Sequence, residues 1–141
     1  MAEQIEILKL REDATLPTRA HPDDAGLDLY SIEDLLLDPG QGLVAKTGVA
    51  LALPPRHVGL IADRSSLGKR GVKVAGGVID AGYRGEIQVV LWNLSGEPVR
   101  LGRGERIAQL LILPIATPAV QAVESLDATA RGEKGFGSTG K

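Results

Sequence analysis

The sequence predicts an all-β domain, a sandwich or barrel, carrying one short helix. Three observations carry that expectation. Strand-length aliphatic runs recur along the chain while helical periodicity is scarce. Turn residues separate these runs at short intervals, supplied by 18 Gly and 8 Pro. Only Tyr30, Tyr83, Trp92 and Phe136 are aromatic, so the core has to be aliphatic. At 141 residues the chain suits one domain of the ~100–150-residue class. That is enough to bury roughly 68% of its unfolded surface without a disulfide or metal staple.

In chain order, Ile5-Glu6-Ile7 opens an alternating run. Asp28 alternates with Leu27 and Leu29, which turns it away from them on a strand. Gly48–Leu53 is aliphatic and closed by Pro54-Pro55, and Val58–Ala62 forms a further run. Ser65-Ser66-Leu67-Gly68-Lys69-Arg70 reads as the one helix, with a Ser cap whose exposed backbone N–H groups suit an anion. The plainer reading of that segment is an ordinary capped turn. From Ile87 to Trp92, Ile87, Val89 and Leu91 share one face and Gln88, Val90 and Trp92 the other. Ile107–Ile115 is the last aliphatic run. Residues 1–115 thus read as the β core, 116–130 as an Ala/Thr/Ser-rich linker or arm, and 131–141 as a Gly-rich tail. The tail is either a loose terminus or a lid that orders over a ligand.

Composition narrows the function classes. Hydrophobic content of 43% and charged content of 24% are ordinary for a globular protein. The absence of Cys excludes disulfide frameworks, Cys-zinc sites and thiol catalysis. No apolar run approaches the ~18 residues of a membrane span. The early acids of the N-terminus do not form a secretory leader, so a cytoplasmic protein is expected. The net charge of −2 is uneven: residues 1–40 hold ten acids and three bases, residues 41–141 eight acids and thirteen bases. The bases gather at Arg64–Lys73, Arg100–Arg106 and Arg131–Lys141. Three basic clusters on an acidic chain suit convergence on a compact polyanion such as a nucleoside polyphosphate, better than a long nucleic acid.

Gly135–Lys141 imitates a phosphate loop, but the Ser/Thr and helix that should follow Lys141 are missing, and that reading is rejected. Asp80 sits between the aliphatic pair Val78-Ile79 and a Gly-containing turn. Taken alone, an Asp there is a turn residue, although flanking glycines would let a planar ligand approach the backbone. Asp28, taken alone, is a surface carboxylate or a water-mediated Mg²⁺ ligand. His21 and His57 show no metal-ligand spacing.

Five segments together resemble the trimeric deoxyuridine triphosphatase (dUTPase) family, in the family's order. They are Ala25-Gly-Leu-Asp-Leu-Tyr-Ser31, Arg64-Ser-Ser-Leu-Gly68, Gly77-Val-Ile-Asp-Ala-Gly-Tyr-Arg-Gly85, Gly104-Glu-Arg-Ile-Ala-Gln109 and Arg131-Gly-Glu-Lys-Gly-Phe-Gly-Ser-Thr-Gly140. The resemblance implies a jelly-roll-like β subunit that forms a homotrimer with shared active sites. It implies hydrolysis of dUTP to dUMP and pyrophosphate with Mg²⁺, which limits uracil in DNA and supplies dUMP. Residue by residue, Asp80 matches the general base that activates the attacking water, and Asp28 the carboxylate that holds magnesium through water. Arg64, Ser65, Ser66 and Gln109 match phosphate contacts, and Arg131 the γ-phosphate ligand. Tyr83 matches the aromatic beneath deoxyribose, Phe136 the lid ring over uracil, and Gly137 and Ser138 the adjoining phosphate contacts. The backbone of Gly77, Val78 and Ile79 matches the segment that reads the base. Some family members carry Asn at the position of Val74, whose side chain touches the base; Val74 cannot, which favours main-chain readout. Tyr83 and Phe136 then face the nucleotide, and Trp92 is the clearest structural aromatic.

Two alternatives stand beside this. A dCTP deaminase of the same fold, or a bifunctional relative, would need Glu at the position of Val90 and Arg at that of Lys69. A non-catalytic nucleotide-sensing protein would not need the intact Asp80 and tail.

Overall fold

The computed structural model describes residues 4–137. Eleven strands and one helix follow in order: β1 (Glu6–Lys9), β2 (Leu27–Tyr30), β3 (Leu35–Leu37), β4 (Gly42–Lys46), β5 (Val49–Ala52), β6 (His57–Ala62), α1 (Ser65–Lys69), β7 (Val72–Ala75), β8 (Val78–Ile79), β9 (Gln88–Asn93), β10 (Val99–Leu101) and β11 (Arg106–Pro114). Every strand pair is antiparallel. The largest sheet runs β2-β11-β6-β8, a second runs β4-β9-β7, and two-stranded ribbons join β1 with β5 and β3 with β10. The mostly-β architecture with one short helix is the expected one.

Alternation builds the core. In β9, Val89 and Leu91 are buried completely, as is Ile87 just before it, while Gln88 and Trp92 point outward. Leu29, Leu37, Ile107, Leu110, Val49 and Val72 join them, and the buried hydrophobic residues include no aromatic ring. Methyl and methylene surface therefore supplies the driving force, about 25 cal/mol per Å² removed from water. Among the described residues Ser31, Thr47 and Asn93 are buried polar residues, and Asn93, the largest of them, needs an account: it is fully buried. Its Nδ2 donates to the carbonyls of Leu37 and Glu97 at 2.9 and 2.7 Å. Its Oδ1 accepts from the Ser95 amide and hydroxyl at 2.9 and 2.7 Å. With its hydrogen-bonding capacity filled, the amide ties three chain segments together instead of costing desolvation.

Trp92 keeps the outward face that the alternation of Ile87–Trp92 gives it, so its structural role lies outside the core. It is 42% exposed on the outer face of the β4-β9-β7 sheet, and its indole lies where a Cβ on the paired Gly42 would stand. One expectation is corrected here: the helix lacks a Ser cap. Arg64 is the N-cap in an extended conformation, without a side-chain cap hydrogen bond, and Ser65 and Ser66 fall inside the first turn. Strands β3, β4, β7 and β10 carry no sequence signal that predicted them. From residue 116 to 130 the chain is irregular and exposed.

Candidate functional site

Asp28 is set by the alternation of β2: Leu27 and Leu29 are buried and Asp28 takes the opposite face. Its backbone is fixed on both sides, by register with Gln109 on β11 and by the Asp28 amide donating to Thr18 O at 2.7 Å. The carboxylate is largely enclosed, with its side chain 15% exposed, and two guanidinium groups bracket it. Arg64 Nε stands 3.5 Å from Oδ1, and Arg106 Nη1 stands 3.5 Å from Oδ2. Both separations exceed the usual 2.7–2.9 Å of a charge-assisted hydrogen bond, so neither arginine is locked by the carboxylate.

Arg106 and Gln109 both line the cavity here, although an odd spacing puts two residues of a regular strand on opposite faces. A β-bulge resolves the conflict. The β11–β2 register shifts between Arg106 and Ala108, and Ile107 and Ala108 are buried in succession. The extra residue re-aims the strand. Gln109 is then held by its Nε2 donating to the Asp63 carbonyl at 2.8 Å. Its side chain also occupies the place a Cβ on Gly26 would take, which is why Gly stands there.

Asp28, Arg64, Ser65, Ser66, Arg106 and Gln109 thus share one cavity of about 450 Å³ with Gly26, Ala20, Asp24 and Ala25. Asp24 has no sequence signal, and Arg106 is read in the sequence only within the basic cluster Arg100–Arg106 and the Gly104–Gln109 segment, without a role of its own. The bulge that aims it at the cavity leaves no local cue. The Asp24 carboxylate accepts the His21 amide at 3.0 Å and so holds the loop before β2 closed.

The other predicted site residues lie elsewhere on the chain. β8 and β2 are the opposite edges of the four-stranded sheet, three strand spacings or roughly 14 Å apart. Asp80, which follows β8, is exposed, and its carboxylate has no hydrogen bond or ion pair among the described residues. Tyr83 is clamped: its amide donates to Asp80 O at 3.1 Å, its hydroxyl to Glu86 O at 2.8 Å, and its ring covers Gly85. At 43% exposure it still offers a surface to a ligand. The Ile61 amide donates to Gly77 O at 2.8 Å. With that bond setting the antiparallel alternation, the N–H and C=O of Val78 turn to the open edge of β8. Val74 is buried and packed in the hydrophobic core. In the tail, Arg131 Nε donates to Lys134 O at 2.6 Å, and Phe136 is fully exposed at a positive φ of 48° beside Gly137. Ser138 lies outside the described residues.

Among the described residues no three His, Cys, Asp or Glu side chains gather to cage a metal. The single carboxylate of Asp28 fits a narrower task. Mg²⁺ keeps several waters and takes substrate phosphates as ligands, so one acceptor placed to receive its water is a sufficient protein contribution.

A sequence model of the dUTPase family matches residues 12–140. The chain belongs to the dUTPase family. It is 49% identical over 143 residues to the deoxyuridine 5'-triphosphate nucleotidohydrolase of Corynebacterium jeikeium, covering 96% of this chain and 92% of that one. The enzyme of that name from Thermobifida fusca is 48% identical, with coverage of 97% and 79%. Among solved structures, the Staphylococcus bacteriophage 80alpha dUTPase with dUpNHpp superposes with a TM-score of 0.93 at 33% identity, covering 99% and 100% of the two chains. A mutant dUTPase from phage phi11 of S. aureus, described with a structural Mg(II) ion, superposes at 0.82 with 31% identity, covering 87% and 98%. No helix among the described residues of this dUTPase is long and apolar enough to cross a membrane.

Proposed function

We propose that this dUTPase, a dUTP diphosphatase of the cytoplasmic nucleotide pool, hydrolyses dUTP to dUMP and pyrophosphate at a site assembled from more than one copy of the chain. One observation carries the composite site: the phosphate-type cavity around Asp28 and the hairpin bearing Asp80 and Tyr83 occupy opposite edges of the same sheet. A second copy bringing its hairpin to this cavity reunites them. The outer face of the β4-β9-β7 sheet suits such self-association. Val44 is 51% exposed opposite Val90, next to Trp92 at 42%, and polar Lys46, Gln88 and Lys73 flank that apolar strip. A homotrimer closes this arrangement without leaving a free face.

In this site Arg64, Ser65, Ser66, Arg106 and Gln109 hold the triphosphate, and Arg131 of the tail adds charge at the γ-phosphate. Asp28 would hold Mg²⁺ through water, and the ion bound there would neutralise phosphate charge. Asp80 accepts a proton from the water that attacks the α-phosphorus. The bond from that phosphorus to the bridging oxygen breaks, and pyrophosphate leaves. Such a displacement rests on positioning and charge stabilisation, with general-base help of ~10²–10⁴-fold. The open N–H and C=O of Val78, with the backbone of Gly77 and Ile79, pair with the edge of uracil. A 4-amino base there leaves a buried donor unpaired, at about 1–3 kcal/mol. The clamped Tyr83 ring packs under deoxyribose and leaves no room for a 2′-hydroxyl. Phe136 closes over the base, and Gly137 and Ser138 add the adjoining phosphate contacts.

The deciding experiment is a substrate panel: pyrophosphate release from dUTP and its absence with dTTP, dCTP and UTP. Ammonia release from dCTP would instead select the deaminase reading, and binding without turnover the sensing one.

A further inference from the structure

Asp63 takes no part in the reaction described above, yet it is tied at three points where the catalytic segments meet. It separates the last residue of β6 from Arg64. Its Oδ1 accepts the Val74 amide at 2.5 Å, its Oδ2 accepts Lys73 Nζ at 2.5 Å, and its carbonyl accepts Gln109 Nε2 at 2.8 Å. Val74 lies on β7, an edge strand of its sheet, so its amide is without a ladder partner on that side and the carboxylate takes that role. Three residues on, the Ile61 amide holds Gly77 O at 2.8 Å. Gly77 stands at a φ of 102°, where a Cβ would strike the Ile61 carbonyl. The stretch 74–77 that leads to Val78 and Asp80 is therefore laced to 61–63, which leads to Arg64 and Ser66.

We propose that Asp63 is a positioning residue for dUTP hydrolysis: through its bond to the Val74 amide it sets the base-reading hairpin and the phosphate-binding turn in one fixed relation. Each chain contributes both segments, to different sites of a symmetric assembly, so the tie acts on every site through the contact between copies. Charge is secondary to this task. Lys73 is an exposed partner, and the amide bond is the one that fixes backbone.

Two substitutions separate position from charge. Asp63→Asn keeps an oxygen for the Val74 amide and gives up the charge. Asp63→Glu keeps the charge and displaces the oxygen by one methylene. In the full-length enzyme at saturating Mg²⁺, Asp63→Glu is expected to raise KM for dUTP at least tenfold, with Asp63→Asn and Lys73→Ala within threefold of wild type. Loss of folded protein alone lowers kcat and leaves KM in place. Amide exchange at Val74 and Ile61, read by NMR or mass spectrometry without substrate, should quicken in Asp63→Glu and not in Asp63→Asn. Wild-type KM in Asp63→Glu, or equal impairment of both variants, overturns the proposal. So does unchanged exchange at Val74 in Asp63→Glu. Failure of wild-type protein to turn over dUTP would instead strike the functional reading and leave the exchange result standing.

Discussion

The carboxylate of Asp28 and the guanidinium of Arg64 meet at 3.5 Å on the lining of the cavity, close enough for attraction and too far for a strong hydrogen bond. Arg106 completes the bracket from the other side. In the proposed site, a triphosphate entering with magnesium would give each group a better partner: phosphate oxygens for the arginines, a metal-bound water for the carboxylate. Asp28→Asn removes the charge and keeps the shape. It should raise the Mg²⁺ concentration needed for half-maximal activity at least tenfold, measured by magnesium titration at fixed dUTP. An unchanged midpoint would remove Asp28 from the metal's surroundings.

Arg106 enters the cavity through the bulge in β11, and its side chain is half exposed. Arg106→Ala should leave the melting temperature within about 2 °C, since exposed ion pairs contribute roughly 0–1 kcal/mol. KM for dUTP should rise about tenfold or more. A KM equal to wild type would show that the bulge serves packing alone.

Asp80 is exposed, and its carboxylate makes no hydrogen bond or ion pair among the described residues. Asp80→Asn should therefore bind a non-hydrolysable dUTP analogue with wild-type affinity by calorimetry, while kcat falls on the order of 10²–10⁴-fold. Undiminished turnover would relocate the base.

Residues 116–130 touch little and are exposed throughout. Ending the chain at Ala130 should shift the melting temperature by only a degree or two, while turnover of dUTP falls at least tenfold. Full activity in the truncated enzyme would refute the lid.

Burial alone pushes the Asp63 carboxyl up. Hydrogen bonds from Lys73 and the Val74 amide, with the charge of Lys73, more than offset this and hold it below the ordinary carboxylate value. A carboxylate depressed on folding contributes stability that is present above its unfolded value, about 3.9, and is lost as pH falls through its folded value. The melting-temperature gap between wild type and Asp63→Asn should be constant from pH 7 to 5 and close as pH falls through the folded value. A gap that persists in acid would assign it to packing.

Long-range and local features were unequally legible in the sequence. Alternation in Ile87–Trp92 exposed both faces of β9, and the Leu27-Asp28-Leu29 triplet gave the facing of Asp28. Strands β3 and β10 have three residues each and exist because Leu36 and Arg100 face each other across 64 positions. No local window holds that pairing. The bulge that brings Arg106 beside Gln109 is likewise a property of two strands. Asp63 reads as one acid before a basic motif, and only the approach of β7 gives it a role. The family motifs named residues on both edges of the sheet, but sequence order carries no indication that one chain holds them apart.

Trp92 is the sole tryptophan of the chain, and it sits on the outer sheet face over Gly42 while the core is aliphatic. The unlabelled protein therefore carries a built-in optical reporter whose emission follows what covers that face. Dilution of an assembled sample should shift the spectrum to the red before far-ultraviolet circular dichroism registers any loss of strands, separating dissociation from unfolding in a single cuvette.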